Sequence, residues 1–183
     1  MKPENFILHS GGAQGSEAEF GKQAEKAGVQ EVTFTFEGHK TSRSRGVRVL
    51  TTDELLKGDV SLAYIAKLMN RKFNTGKLFK KVLQSIWHQI NCAEEVFVVG
   101  QILDDGHVKG GTGWGAEFSK LCNKPLHVFD QEQDCWFKWS GDAWKKEKQP
   151  KIKHKAFAGT GTRFLNANGK KAIKVLFEVS FNK

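Results

Sequence analysis

The sequence lacks most of the features that mark secreted, membrane or metal-binding proteins. It has only three cysteines in 183 residues, Cys92, Cys122 and Cys135, and no C-x-x-C pair. Their odd number and spacing argue against both a disulfide framework and a zinc site. No apolar run approaches the ~18 residues of a membrane span, and the short apolar patch near the amino terminus has no signal-peptide cleavage site. We therefore expect a cytoplasmic protein that has no membrane partner.

Two common phosphate-binding signatures are also absent. No G-x-G-x-x-G fingerprint follows the first apolar run, and the chain contains no G-x-x-x-x-G-K-[ST] motif. Their absence argues against an ordinary dinucleotide-binding domain and against a P-loop NTPase. Because the histidines form no cluster either, the sequence predicts no metal and no bound cofactor.

Positive charge is in excess, and part of it is local. The formal net charge is +9, and residues 145–155 contain six lysines and one glutamate. A run of this kind predicts a solvated linker or surface. Anionic ligands are the expected partners, with nucleic acid as an alternative.

Strand and helix patterns alternate along the chain. Unbroken or alternating apolar runs predict strands, at 6–10, 31–37, 95–100, 125–130 and 156–159, and a β-hairpin within 132–147. Helical spacing predicts five helices, the first ended by Gly28 and the second capped by Thr51 or Thr52, over roughly 16–27, 52–72, 76–91, 113–122 and 166–181. Residues 38–50 show no period and are expected to be a loop. The alternation predicts a single α/β domain over 1–183, with a mostly parallel, Rossmann-like sheet between helices.

Three strand-to-helix turns are rich in glycine: SGGAQGSE at 10–17, GGTGWGAE at 110–117 and GTGTR at 159–163. In a parallel sheet such turns all lie at the carboxyl edge, where ligands bind. Glycine permits close backbone approach, and the helix N-terminus that follows favours an anion such as phosphate. The three turns are expected to converge if their strands are neighbours.

Two of these turns resemble signatures of the SLOG superfamily of Rossmann-like proteins. SGGAQGSE is similar to the S-G-G-A-x-G-x-D/E turn of that group. GGTGWGAE resembles the P-G-G-x-G-T-x-x-E signature of the Lonely Guy (LOG) phosphoribohydrolases, although Lys109 replaces the proline and Trp114 the threonine. Arg71, in MNRKF, stands in a place similar to that of a LOG arginine.

The order of the segments resembles that of a circularly permuted member. In DprA-like members of the superfamily, a unit similar to residues 156–183 precedes the S-G-x-A strand, whereas here it follows a basic linker at the carboxyl end. Some YpsA-like members are permuted in this way. The resemblance therefore implies that strand 156–159 lies directly beside strand 6–10. It also implies a homo-oligomer, for which the helices within 52–91 are the candidate interface.

The resemblance implies a nucleotide or nucleotide-derived ligand held by all three turns. The implied ligand-binding residues are Ser10, Gly11, Gly12, Gln14, Gly15 and Glu17 in the first turn, Gly110, Gly111, Thr112, Gly113 and Trp114 in the second, and Gly159, Thr160, Gly161, Thr162 and Arg163 in the third. It further implies N-glycosidic hydrolysis of a nucleoside monophosphate. Glu117, in the first turn of its helix, would stabilise the oxocarbenium-like transition state, and Arg71 would bind phosphate.

Two alternatives remain open at this stage. One is a non-catalytic sensor of a nucleotide-like signal, which needs only the glycine turns and which Trp114 favours by replacing the usual threonine. The other is a DprA-like binder of single-stranded nucleic acid. Such binding uses aromatic stacking beside basic residues, and Trp136, Trp139 and Trp144 lie near the lysine run.

Overall fold

The computed structural model describes residues 2–73 and 76–181. Beyond a short 3-10 turn at Pro3–Asn5, its strands are β1 (Ile7–Ser10), β2 (Gln30–Thr35), β3 (Val47–Val49), β4 (Glu95–Gly100), β5 (Leu126–Asp130), β6 (Cys135–Trp139), β7 (Trp144–Glu147) and β8 (Ala156–Gly161). Its helices are α1 (Ser16–Ala27), α2 (Thr52–Leu56), α3 (Asp59–Leu68), α4 (Lys77–Asn91), α5 (Thr112–Leu121) and α6 (Ala167–Phe181). None of these helices is long and apolar enough to cross a membrane.

One sheet contains all eight strands, in the order β3-β2-β1-β8-β4-β5-β6-β7. The first six strands in this order are parallel, whereas β6 and β7 form an antiparallel hairpin that extends the sheet beyond β5. Helices cover both faces. The α/β, Rossmann-like fold expected from the sequence is therefore confirmed, and the hairpin is continuous with the main sheet.

The last strand of the chain lies in the middle of the sheet. β8 pairs with β1 on one side, where Leu8 is opposite Phe157, and with β4 on the other, where Val96 is opposite Ala158. The expected adjacency of strands 6–10 and 156–159 is thus confirmed. Its consequence is that the three glycine-rich segments lie at the ends of three neighbouring strands. The third differs from the prediction, because Gly159, Thr160 and Gly161 are the last residues of β8 and the turn begins after them.

Two apolar layers hold the helices against the sheet. Helices α1 and α6 pack on one face through a cluster that includes Phe20, Phe157 and Phe177. Helices α3, α4 and α5 pack on the other face, around a second cluster that includes Leu83 and Val98. Every residue of β4 is buried, which explains its unbroken apolar sequence, since a central parallel strand faces helices on both sides.

The structure differs from the sequence prediction between residues 38 and 72. The predicted loop contains β3, a three-residue edge strand whose residues are all exposed. The single predicted helix is two helices: Thr51 begins α2 through a reciprocal capping box with Glu54, and a turn at Gly58 separates α2 from α3. Helix α3 ends at Leu68, not at residue 72, because Asn70 adopts a left-handed conformation with φ 50°.

The basic segment at 145–155 is a solvated surface that is fixed to the domain. All six of its lysines are exposed, as expected. Ile152, in contrast, is fully buried against α6, and its N–H donates to Ser180 Oγ. The backbone N–H groups of Lys153 and His154 both donate to the buried Glu95 carboxylate. The segment is therefore anchored to the domain at residues 152–154, directly before β8.

Candidate functional site

The three glycine turns line one cavity of about 700 Å³ at the carboxyl edge of the sheet. Ten of the sixteen residues implied by the resemblance as ligand contacts are part of its lining: Gly11, Gln14, Glu17, Gly110, Gly111, Thr112, Thr160, Gly161, Thr162 and Arg163. Residues from α4 and from the ends of β4 and β5 complete the wall. This volume is typical of a small-molecule site.

A buried carboxyl group lies at the floor of the cavity. Glu17, in the first turn of α1, accepts hydrogen bonds from the Ala13 N–H (3.0 Å) and from the Thr160 hydroxyl (2.8 Å). Burial raises the pKa of Glu17 above its ordinary value, and these two hydrogen bonds act in the opposite direction. The hydroxyl of Thr160 thus connects the first glycine turn to the third.

Helix α4 supplies the opposite wall, which the sequence analysis did not predict. Phe79, Val82 and Ile86 give this wall an apolar surface. Gln89 lies below them and is 1% exposed, yet its Oε1 has no hydrogen-bond partner among the described residues. A signal was present in the sequence: Gln89 is a polar residue three positions after Ile86, near the buried stripe of an amphipathic helix.

The start of α5 forms one end of the cavity. Gly110, Gly111 and Thr112 line the cavity there, and the first N–H groups of a helix have no intrahelical acceptor. Two cationic side chains lie at the same cavity. Lys109 donates to Gln101 Oε1 at 2.8 Å, and the exposed Arg163 guanidinium lies over the Phe164 ring. The helix N-terminus and both cations favour a bound anion.

Arg71 does not reach the cavity. Its guanidinium donates to the carbonyl oxygens of Gly110 (2.9 Å) and Val108 (3.4 Å). The phosphate-binding role implied for Arg71 stays a prediction; in the structure its guanidinium is engaged by the backbone of the glycine turn. The side chain braces that turn from outside.

Glu117 also lies outside the cavity lining. Helix α5 begins at Thr112, so Glu117 is in its second turn and not in the first, as expected from the sequence. Its carboxylate pairs with Lys120 Nζ at 2.7 Å and lies 4.0 Å from His107 Nε2. Lys120 Nζ is itself 4.0 Å from the Trp139 ring centroid. The catalytic assignment of Glu117 thus has no support from the geometry, because its ionic partner holds it toward the hairpin.

Six further residues of the implied site have packing roles and do not line the cavity. Trp114 is 2% exposed within the core and contacts Phe73. Ser10 accepts a hydrogen bond from the N–H of Gly12 and shapes the first turn. The remaining three glycines allow close contact between elements, because an added Cβ would meet the Arg163 backbone, the Val108 carbonyl or the Phe20 ring: Gly15, Gly113 and Gly159.

The tryptophans of the hairpin are engaged in packing. Trp136 is 3% exposed in the core, and the rings of Trp139 and Trp144 pack edge-to-face, 5.1 Å apart. Trp144 Nε1 also donates to the Gly106 carbonyl at 2.8 Å. These contacts account for the aromatic pattern of the hairpin without a bound nucleic acid.

Within residues 2–73 and 76–181, no group of three or more histidine, cysteine, aspartate or glutamate side chains is arranged to hold a metal ion. No protein-family model, curated protein or solved structure matches this chain.

Proposed function

We propose that the cavity binds a nucleoside monophosphate or a related nucleotide-derived anion. The observation that carries this proposal is the convergence of three glycine turns, from the neighbouring strands β1, β8 and β4, on one cavity. Two interstrand spacings separate β1 from β4, which makes the lined edge roughly 10 Å long. A ligand with an anionic group at one end and a flat ring at the other suits such a site.

The phosphate group is assigned to the turn between β4 and α5. The N-terminus of α5 directs a partial positive charge at this point, and Lys109, directly before the two glycines of the turn, contributes a full charge. Glu17 is the only acidic side chain in the described lining, and it lies on the β1 side. The charge distribution therefore favours one orientation of the ligand, with the phosphate toward β4.

The ring of the ligand is assigned to the side of the cavity away from Gly111, where Val82 of α4 and His39 line it beside Phe36. Phe79 and Ile86 extend the apolar surface toward α5, because a Cβ on Gly111 would lie 3.5 Å from the Phe79 ring and one on Gly115 would lie 3.1 Å from Ile86. A purine or pyrimidine face gains free energy by removing such a surface from water. This wall has no counterpart in the glycine turns and makes the site more than an anion-binding loop.

We also propose that the chain is a permuted relative of the SLOG proteins. The central position of β8 between β1 and β4 supports this, as do the glycine turns. Glu117 and Arg71, the two residues for which the resemblance implied a catalytic role, lie outside the cavity lining. Ligand binding without catalysis, as in a nucleotide sensor, needs nothing beyond the cavity as it stands.

N-glycosidic hydrolysis is a second candidate function, favoured by one observation. Glu17 is a buried carboxyl group in the cavity whose pKa is raised by burial. A carboxyl group with a raised pKa is better suited than an ordinary one to donate a proton to a leaving group. Glu17 would then act as a general acid, a role different from the transition-state stabilisation that the sequence motif suggested for Glu117.

The test combines a thermal-shift assay with chromatography of the products. The protein is incubated with AMP, GMP, CMP, UMP, NAD and ADP-ribose, and free base and intact ligand are quantified. The same panel is applied to Glu17→Gln and to Glu117→Gln, a matched control that removes a carboxylate outside the cavity. A thermal shift with intact ligand identifies a binding protein. Base release that is lost only in Glu17→Gln identifies a hydrolase.

Two results would contradict the proposal. The absence of any shift or product with the whole panel, at millimolar ligand, would refute nucleotide binding. Salt-sensitive binding of single-stranded oligonucleotides in its place would favour the nucleic-acid alternative, because phosphate-backbone contacts weaken steeply with salt.

A further inference from the structure

The side chains of Glu17 and Gln89 both lie next to the space above Gly11, at the floor of the cavity. A Cβ added to Gly11 would lie 2.6 Å from Gln89 Nε2 and 2.8 Å from Glu17 Oε2. The amide nitrogen and the carboxylate oxygen are thus no more than about 5.4 Å apart, since both lie within these distances of one point. The glycine leaves the space in which the two side chains approach each other.

This pair has hydrogen-bonding capacity that the described protein does not use. Each Glu17 oxygen accepts one hydrogen bond from the protein, whereas a carboxylate has about four acceptor positions. Gln89 Oε1 is buried without a partner, and leaving a buried polar group unpaired costs about 1–3 kcal/mol. A ligand group at this point must therefore supply at least two hydrogen-bond donors, and an acceptor for the Gln89 amide.

The position of the pair identifies the part of the ligand that it would contact. The Thr160 hydroxyl donates to Glu17. Its Cγ2 lies 3.7 Å from the point that a Cβ added to Gly115 would occupy. Gly115 is three residues after Thr112, about 4.5 Å along the axis of α5. Thr160 belongs to β8, which lies between β1 and β4, so the pair lies between the phosphate turn and the β1 side of the cavity. In a nucleoside monophosphate the sugar is attached directly to the phosphate, and the base lies beyond it.

We infer that Gln89 and Glu17 bind the vicinal hydroxyl groups of a ribose, which makes Gln89 a specificity-determining residue for ribonucleotides over deoxyribonucleotides. This inference rests on the proposed function. One hydroxyl donates to Glu17 and accepts from Gln89 Nε2. Its neighbour donates to Gln89 Oε1, which is fully buried beside the cavity and becomes reachable when the amide rotates toward the ligand. A deoxy sugar leaves one of these buried groups without a hydrogen-bond partner. A site that hydrogen-bonds a hydroxyl rejects the analogue without that hydroxyl for this reason.

The experiment compares matched sugars on the unmodified protein. Dissociation constants are measured by isothermal titration calorimetry for the ribo, 2′-deoxy and 3′-deoxy forms of the tightest-binding nucleoside monophosphate. Where the nucleotide is hydrolysed, the same ratios are taken from kcat/KM. We expect each deoxy form to bind about tenfold more weakly, the factor that corresponds to one unpaired buried group. A ratio below about threefold overturns the inference.

Two variants assign the selectivity to a residue. Gln89→Met keeps a long unbranched side chain but removes both polar atoms, so the ribo form should fall to the affinity of the deoxy forms. Gln84→Met is the matched control, because Gln84 is buried on the same helix but bonds to Asp59 outside the cavity. It should keep the wild-type ratio. If Gln89→Met does not fold, the sugar ratios of the unmodified protein still decide.

The outcomes separate the two proposals. Equal binding of ribo and deoxy nucleotides overturns the role of the pair and leaves nucleotide binding intact. Failure of every nucleotide to bind overturns both. A wild-type ratio retained in Gln89→Met refutes the assignment to Gln89.

Discussion

Replacing Gly11 with alanine should block the cavity and leave the fold in place. Gly11 lies outside the left-handed region of backbone space, so alanine adopts its conformation without strain. The new methyl group, however, would lie 2.6 Å from Gln89 Nε2 and 2.8 Å from Glu17 Oε2. It would occupy the point at which the ligand meets both side chains.

The size of both effects follows from the contacts. Overpacking of this kind costs about 1–3 kcal/mol, which corresponds to a fall in Tm of about 2–12 °C for a chain of this length. Loss of the hydrogen bonds at the floor should weaken nucleotide binding by at least about tenfold. Calorimetric titration well below Tm, together with a thermal melt, measures the two quantities separately.

Gly58→Ala is the matched control for overpacking. A Cβ at Gly58, between α2 and α3, would lie 2.8 Å from Cγ of Trp87 on α4. Neither residue lines the cavity. It should lower Tm by a similar amount and leave the dissociation constant unchanged. Unaltered binding by Gly11→Ala would refute the placement of the ligand. An equal loss of binding in both variants would show that the effect is only one of stability.

Two further predictions concern groups outside the cavity. Glu117→Gln should lower the free energy of unfolding in urea by about 1–3 kcal/mol, because it removes the partner of the mostly buried Lys120; a small fall in nucleotide affinity would agree with a structural role, and loss of all binding would contradict it. Burial, with smaller contributions from Lys124 and Arg48, lowers the pKa of His9 to about 4. Between pH 6.5 and 4 the unfolded chain therefore binds a proton that the folded protein excludes, so His9 costs stability as the pH falls through this window, by up to about 3 kcal/mol. His9→Phe should remove that part of the acid sensitivity in urea unfolding at pH 7 and pH 4.5, and an unchanged pH dependence would refute it.

The edge of the sheet that forms the cavity could be predicted because its signals are local. An apolar run followed by glycines and a helical pattern specifies a strand, a tight turn and a helix within about twenty residues, and β1, β4 and β8 each carry it. The resemblance implied that β8 lies beside β1, which their pairing confirms, whereas the pairing of β8 with β4 was not predicted. The edge strand β3 was missed, since three exposed residues in a polar segment carry no period.

Side-chain direction at the site could not be predicted, because distant contacts decide it. A start of α5 at Thr112 places Glu117 in the second helical turn, and the Trp139 ring of the hairpin then holds its partner Lys120. Neither fact is visible in the motif. Gln89 was overlooked for a related reason: a polar residue within an amphipathic helix becomes a site residue only when a cavity is known to lie beside it.

Arg71 and Glu117 lie outside the cavity lining, but both support the segment between β4 and α5 that forms part of its wall. Arg71 binds the carbonyl groups of Val108 and Gly110 on one side of this segment. On the other side Lys120, paired with Glu117, donates to the Gly106 carbonyl. The turn proposed to bind phosphate is thereby held at both ends before any ligand arrives. A preformed turn reduces the entropy that binding must cost, so residues that look catalytic in the sequence contribute to affinity by fixing the backbone, while Glu17 and Gln89 provide the polar contacts at the floor.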